Sequence, residues 1–146
     1  MPNYTPIPFA QRRRSEQYTK GKVILVRCSL TDEAWEGLRV IAESYREDKH
    51  KLPVTRFLNR YAREFRIFKP PPYVLEAYQQ QGNKWLPDDF SNGEQKRPHV
   101  VRITDAVKLH LEVLPVALGI PIKFSTNGGY AISMSLELIG RGWIIR

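Results

Sequence analysis

Arginine is the residue type whose placement in this 146-residue chain suggests a chemistry. Arg12, Arg13 and Arg14 form a run, Arg27 lies just before Ser29 in an alternating segment, and Arg56, Arg60 and Arg63 recur at i, i+4 and i+7 with Arg66 nearby. A guanidinium presents a fork of donors that fits a phosphate or the O6 and N7 edge of guanine. A serine hydroxyl can donate or accept at a base edge. The groups that would carry catalysis are dispersed by contrast. His50, His99 and His110 belong to no spaced His/Cys/Asp ligand set, and Asp88-Asp89 could reach a divalent cation only with help from Asp105 or Glu112. There is no GxSxG, no phosphate-cradling glycine loop and no HExxH. The sequence therefore argues against an enzyme, and no catalytic residue, metal or cofactor is expected.

The charge is uneven. Lys and Arg number 23 against 15 Asp and Glu, a formal net charge of +8; residues 1–69 hold 15 and 8 of these, residues 70–146 only 8 and 7. A polyanion bound to the first half would release counterions whatever its sequence, which is the usual basis of DNA or RNA affinity. Hydrophobic residues at 42% and charged residues at 26% fit a folded globular chain, as one compact domain or as two small modules with a linker. Cys28 stands alone, so neither an internal disulfide nor a cysteine zinc cluster can form. With no apolar run of about 18 residues and no signal-peptide h-region, a cytoplasmic location without membrane contact is expected.

The elements that must position the arginines begin after residue 21. Residues 1–21, with three prolines and no apolar period, read as a basic flexible arm. From Lys22 to Leu30 the side chains of Ile24, Val26, Cys28 and Leu30 share one face, and Leu25, Arg27 and Ser29 share the other with Val23. Thr31 offers an N-cap, Asp32 and Glu33 suit a first helical turn, and Ala34, Leu38, Ile41, Ala42 and Tyr45 form the buried stripe of a helix. After a charged turn at 46–51, Pro53 opens a second helix with Phe57, Leu58, Tyr61, Phe65 and Phe68 on one face and the arginine stripe on the other. Pro70-Pro71-Pro72 end it.

This strand, capped helix and second helix, carried by Arg27-Cys28-Ser29-Leu30, by Thr31 to Leu38 and by Pro53 to Leu58, resembles the ribbon-helix-helix superfamily of small DNA-binding proteins of the Arc and CopG type. The resemblance covers residues 22–68. It implies that two chains pair their strands into an antiparallel ribbon whose outward side chains enter the major groove, making Leu25, Arg27 and Ser29 the reading set. It also implies that backbone N–H groups near Val54 and Thr55, beside Arg56, meet a phosphate. The alternative is a strand buried on both faces, to which apolar Val23 and Leu25 would be suited.

Residues 70–98 read as a Pro-rich linker, with a short helix near Tyr73 to Gln81 and with Trp85 and Phe90 free to dock on a neighbouring surface. The last part, 99–146, reads as a small α+β unit: a strand HVVRIT, a segment DAVKLHLEVLPVALG in which a helical period competes with alternation, and a hairpin over 120–139 turning at Asn127-Gly128-Gly129. VRCSLTDEAWEGL and VVRITDAVKLHL echo one another, so a degenerate second strand-helix unit could replace part of a dimer partner. The expectation is an α+β, sequence-preferring binder of double-stranded DNA, a homodimeric transcriptional regulator. Its expected contacts are Arg12, Arg13, Arg14, Lys22, Leu25, Arg27, Ser29, Val54, Thr55 and Arg56. The alternative is an accessory subunit of a larger nucleoprotein or protein assembly, binding RNA or protein through Trp85, Phe90 and the hairpin.

Overall fold

Thr31 and Thr104 do the same work at two places in the chain. Each ends a nine-residue strand and caps a thirteen-residue helix, Thr31 accepting from the N–H of Ala34 at 3.2 Å and Thr104 from that of Val107 at 3.3 Å. An aspartate follows each threonine at the positive end of the helix dipole. The computed structural model describes residues 22–47, 50–85, 90–91, 93–120 and 129–146, so Arg12, Arg13 and Arg14 lie outside the described residues. In chain order its elements are β1 (Val23–Thr31), α1 (Asp32–Ser44), β2 (Arg46–Glu47), β3 (His50–Lys51), α2 (Val54–Tyr61), a 3-10 turn (Ala62–Glu64) and β4 (Ile67–Phe68). There follow α3 (Pro72–Gln80), β5 (Lys96–Thr104), α4 (Asp105–Ala117), α5 (Gly129–Arg141) and β6 (Ile144–Ile145). The protein is α+β, with small antiparallel sheets among its helices.

β1 and β5 form an antiparallel two-stranded ribbon in register from Val23 opposite Thr104 to Thr31 opposite Lys96. Alternation sends Val26, Cys28 and Leu30 of β1 and Val101 and Ile103 of β5 inward, where they join one continuous core running from Val26 to Ile144. The helices lie beneath the ribbon. α2 follows the first strand-helix unit and α5 the second, so the chain runs strand, helix, helix twice.

The segment YAISMSLELI, expected as the second strand of a hairpin over 120–139, is helix α5, and residues 131–140 are buried at every position. Of the expected first strand, Ile120 is buried and 121–128 lie outside the described residues. The alternation misleads because a helix enclosed on all sides needs small residues wherever a neighbour approaches, and Ala131, Ser133 and Ser135 supply them. α4 follows the helical period, with Pro115 inside it. Proline cannot donate to the carbonyl four residues back, and the carbonyl of Leu111 instead accepts the Ser135 hydroxyl of α5 at 2.7 Å.

Two other boundaries differ from expectation. The second helix stops at Tyr61 instead of reaching Phe68, because the chain beyond it is drawn into pairing with the C-terminus: Ile67 and Phe68 lie opposite Ile145 and Ile144, and the N–H groups of Arg66 and Lys69 donate to Ile145 and Trp143. β5 starts at Lys96, inside the expected linker, with Pro98 on its exposed face.

Helices α1 and α5 cross at backbone distance. A Cβ on Gly37 would collide with the carbonyl oxygen of Gly140, and one on Gly140 with that of Ala34. Alanine ordinarily improves a helix interior by about 1 kcal/mol over glycine. Here the sign reverses: Gly140→Ala is expected to destabilise by about 1–3 kcal/mol, since the obstacle is backbone that cannot move aside alone. Urea unfolding checks this, and a midpoint equal to or above that of the parent would contradict the crossing.

Candidate nucleic-acid interface

The outward face of the ribbon is open. Val23, Leu25, Arg27 and Ser29 of β1 and Pro98, Val100 and Arg102 of β5 are exposed, Leu25 at 53% and Val100 at 50%. The strand is therefore buried on one face only, and its arginines stand on the other. Beneath them Cys28 is inward and 3% exposed, and burial pushes its thiol up to about 11, so it packs as an apolar residue.

Thr31 and Thr104 occupy equivalent places in the two strand-helix units, and that equivalence makes Arg27 the counterpart of Val100. The register sets these same two residues opposite one another. An approximate dyad thus passes between them, and the two units stand where the subunits of a symmetric ribbon dimer would.

One end of each free edge of the ribbon is held by side chains from a second helix. On the β1 edge, Ser133 accepts the N–H of Ser29 at 3.0 Å and Glu137 accepts that of Thr31 at 3.0 Å. On the β5 edge, Asn59 of α2 donates to the carbonyl of Arg102 at 3.1 Å and accepts the N–H of Thr104 at 3.0 Å. Residues 29, 31, 102 and 104 are equivalent pairs in the two units, so α2 and α5 play matching parts. Edge groups satisfied this way are not available to a third strand.

The β1 edge rests on a buried charge cluster. Glu137 is fully buried and also accepts the Thr31 hydroxyl at 2.7 Å and Arg141 Nε at 2.6 Å. Arg141, its side chain 5% exposed, also pairs with Glu33 at 3.3 Å and Glu94 at 3.1 Å and donates to Thr31 Oγ1 at 3.1 Å. Burial alone would lower the Arg141 pKa, but hydrogen bonding and attraction from Glu137, with Glu33 and Glu94, hold it above its ordinary value.

A cleft flanks the ribbon on each side of the dyad. One, of about 350 Å³, is lined by Trp35, Arg39, Val54, Thr55 and Val100, at the start of α2. The other, of about 440 Å³, is lined by Arg27, Ser29, Lys96, Pro98 and Tyr130, at the start of α5. Each second helix thus begins beside the outward ribbon face. Val54 is buried, Thr55 half-buried and Arg56 exposed, and α2 opens at Pro53 with no side-chain cap. Lys22 is exposed at the foot of β1, its backbone N–H and carbonyl bonded to Asp105 of the opposite unit.

The arginine stripe divides. Arg56, Arg63 and Arg66 are exposed, whereas Arg60 is held by Glu47, which also accepts the Tyr61 hydroxyl at 3.2 Å. Pro98, Val100, Arg102 and the start of α5 were not in the expected set. The Thr-Asp echo between VRCSLTD and VVRITD was the signal that could have found them. Trp85 and Phe90, expected to dock on a neighbouring surface and, in the alternative reading, to contact a partner, dock within the chain: Phe90 is 4% exposed, and Trp85 packs on Tyr78, Phe90 and Phe68 at centroid distances of 4.4, 5.0 and 5.9 Å. Among the described residues no group of His, Cys, Asp and Glu could hold a metal ion, and no helix is long and apolar enough to cross a membrane.

Removing Glu137 leaves Arg141 buried without its nearest countercharge and frees the N–H of Thr31. Glu137→Ala should therefore destabilise by about 3–5 kcal/mol and Glu137→Gln, which keeps an acceptor, by less. Thermal or urea unfolding ranks the two, and a Glu137→Ala protein as stable as the parent would contradict the role given to this cluster. Comparison with protein-family models, with curated proteins and with solved structures finds no match to this chain.

Proposed function

We propose that this protein binds double-stranded DNA as a single chain, with the β1–β5 ribbon in the major groove and the starts of α2 and α5 on the flanking phosphates. The observation that carries the reading is the exposed pair Arg27 and Arg102 on one face of a two-stranded ribbon, between two second-helix starts related by the same approximate dyad. A two-stranded ribbon fits the width of a major groove, and arginine forks are the side chains best suited to guanine there. Each helix start offers backbone N–H groups and positive dipole to a phosphate, and Arg56 adds charge beside one of them. The net charge of +8 favours a polyanion over other ligands of that size. The reading keeps the ribbon-helix-helix likeness of residues 22–68 and extends it to the second unit, which takes the place of a partner chain. Regulation of transcription from the bound site, in the cytoplasm, goes with it.

One observation favours a second reading, a subunit of a protein or nucleoprotein assembly. Leu109, Val113 and Val116 make an exposed apolar stripe along α4, at 60%, 49% and 60%. The equivalent places on α1 are Glu36, Val40 and Glu43, so only one unit carries it.

Fluorescence anisotropy with duplex DNA separates the readings. The first expects binding that weakens steeply with salt, as counterions are no longer released at a profit. Arg27→Ala and Arg102→Ala should each cost about 1–3 kcal/mol on a preferred sequence and less on random duplex. Equal losses on both would contradict base reading by the ribbon, and no binding at low salt would contradict the function.

A further inference from the structure

The two halves of the ribbon are related by a dyad, but their outward side chains are not. With Thr31 matched to Thr104, the outward positions pair Val23 with Lys96, Leu25 with Pro98, Arg27 with Val100 and Ser29 with Arg102. At none of these positions do the two strands carry the same residue. A ribbon made by two copies of one chain would repeat every outward residue across the dyad and would be matched to a palindrome.

We infer that the duplex site read by this ribbon is not a palindrome: a centre contacted by Arg27 alone, one side contacted by Arg102 with Leu25, the other by Ser29 and Pro98 with Lys96. The inference rests on the DNA-binding reading above and deepens it by naming the class of site.

The chemistry of the two ends differs in kind. At one end Arg102 stands opposite Leu25. An arginine fork selects guanine through O6 and N7, and a leucine beside it suits the methyl group of thymine. At the other end Ser29 stands opposite Pro98, with Lys96 next on the same face and half-buried. A serine hydroxyl accepts or donates at more than one base, and an ammonium is a point charge suited to phosphate. At the dyad Arg27 faces Val100, so a single fork reads the centre where a symmetric ribbon would have two. Arg102 is opposite Leu25, and so lies two residues along the ribbon from Arg27. That is about 7 Å, on the order of two base-pair steps. The two helix starts differ as well: the third residue of α2, Arg56, is exposed, and the third residue of α5, Ala131, is buried.

The test is selection of bound sequences from a randomised duplex pool by the full chain, repeated with Arg102→Ala and Ser29→Arg. Both positions are exposed, and circular dichroism confirms that the variants fold. The parent should enrich a motif with guanine near its centre and a second guanine to one side only. Arg102→Ala should lower the off-centre preference at least about 5-fold and leave the central one. Ser29→Arg should add a guanine preference at the mirrored position, making the motif more symmetric. A palindromic parent motif, or retention of duplex with no sequence preference, would overturn this inference while leaving DNA binding in place. Failure to retain any duplex would overturn the DNA-binding reading and this inference with it.

Discussion

The ladder between β1 and β5 is the constraint on which the rest depends. These two strands are distant in sequence, yet each supplies nine residues to one antiparallel ribbon. Their pairing sets the inward residues against the helices and leaves the outward residues in solvent. It also fixes which residues face one another, and thereby the dyad between Arg27 and Val100. Ser133, Glu137 and Asn59 take up edge groups of the ribbon at Ser29, Thr31, Arg102 and Thr104. A chain that carries both strands meets its second unit at high local concentration, so assembly does not depend on finding another copy.

The likeness of the two units ends at the second helices. α2 has eight residues and α5 thirteen, and α5 alone of the two is buried over ten consecutive residues, 131–140. Its small residues let α1 cross at the Gly37–Gly140 contact, and its Glu137 and Arg141 tie Thr31 to Glu33 and Glu94. One unit thus supplies the central helix while the other leaves Arg56, Arg63 and Arg66 exposed on α2 and beyond. This division matches the charge along the sequence, where the excess of Lys and Arg sits in residues 1–69.

The local signals in the sequence were those with a single physical meaning. Thr31 and Thr104 with their following aspartates marked the helix starts, the alternation from Ile24 to Leu30 marked the inward face, and the prolines at 70–72 marked the end of the first unit. What could not be read were features decided by neighbours. The alternation in YAISMSLELI has no unique period, and only enclosure by the ribbon, α1 and α4 makes it helical. The early end of α2 depends on β6, more than seventy residues further on. Of the ribbon's outward face, Leu25, Arg27 and Ser29 were legible on one strand. Val100 and Arg102 were not assigned, because the echo of the Thr-Asp cap is too short to establish a second unit until the ladder pairs it with the first.

That one chain supplies both halves of the ribbon is best tested by the mass of the complex, measured by native mass spectrometry with a short duplex carrying a single preferred site. The predicted species is the duplex plus one chain of 17.0 kDa. A complex that forms only with two chains on that site would contradict it.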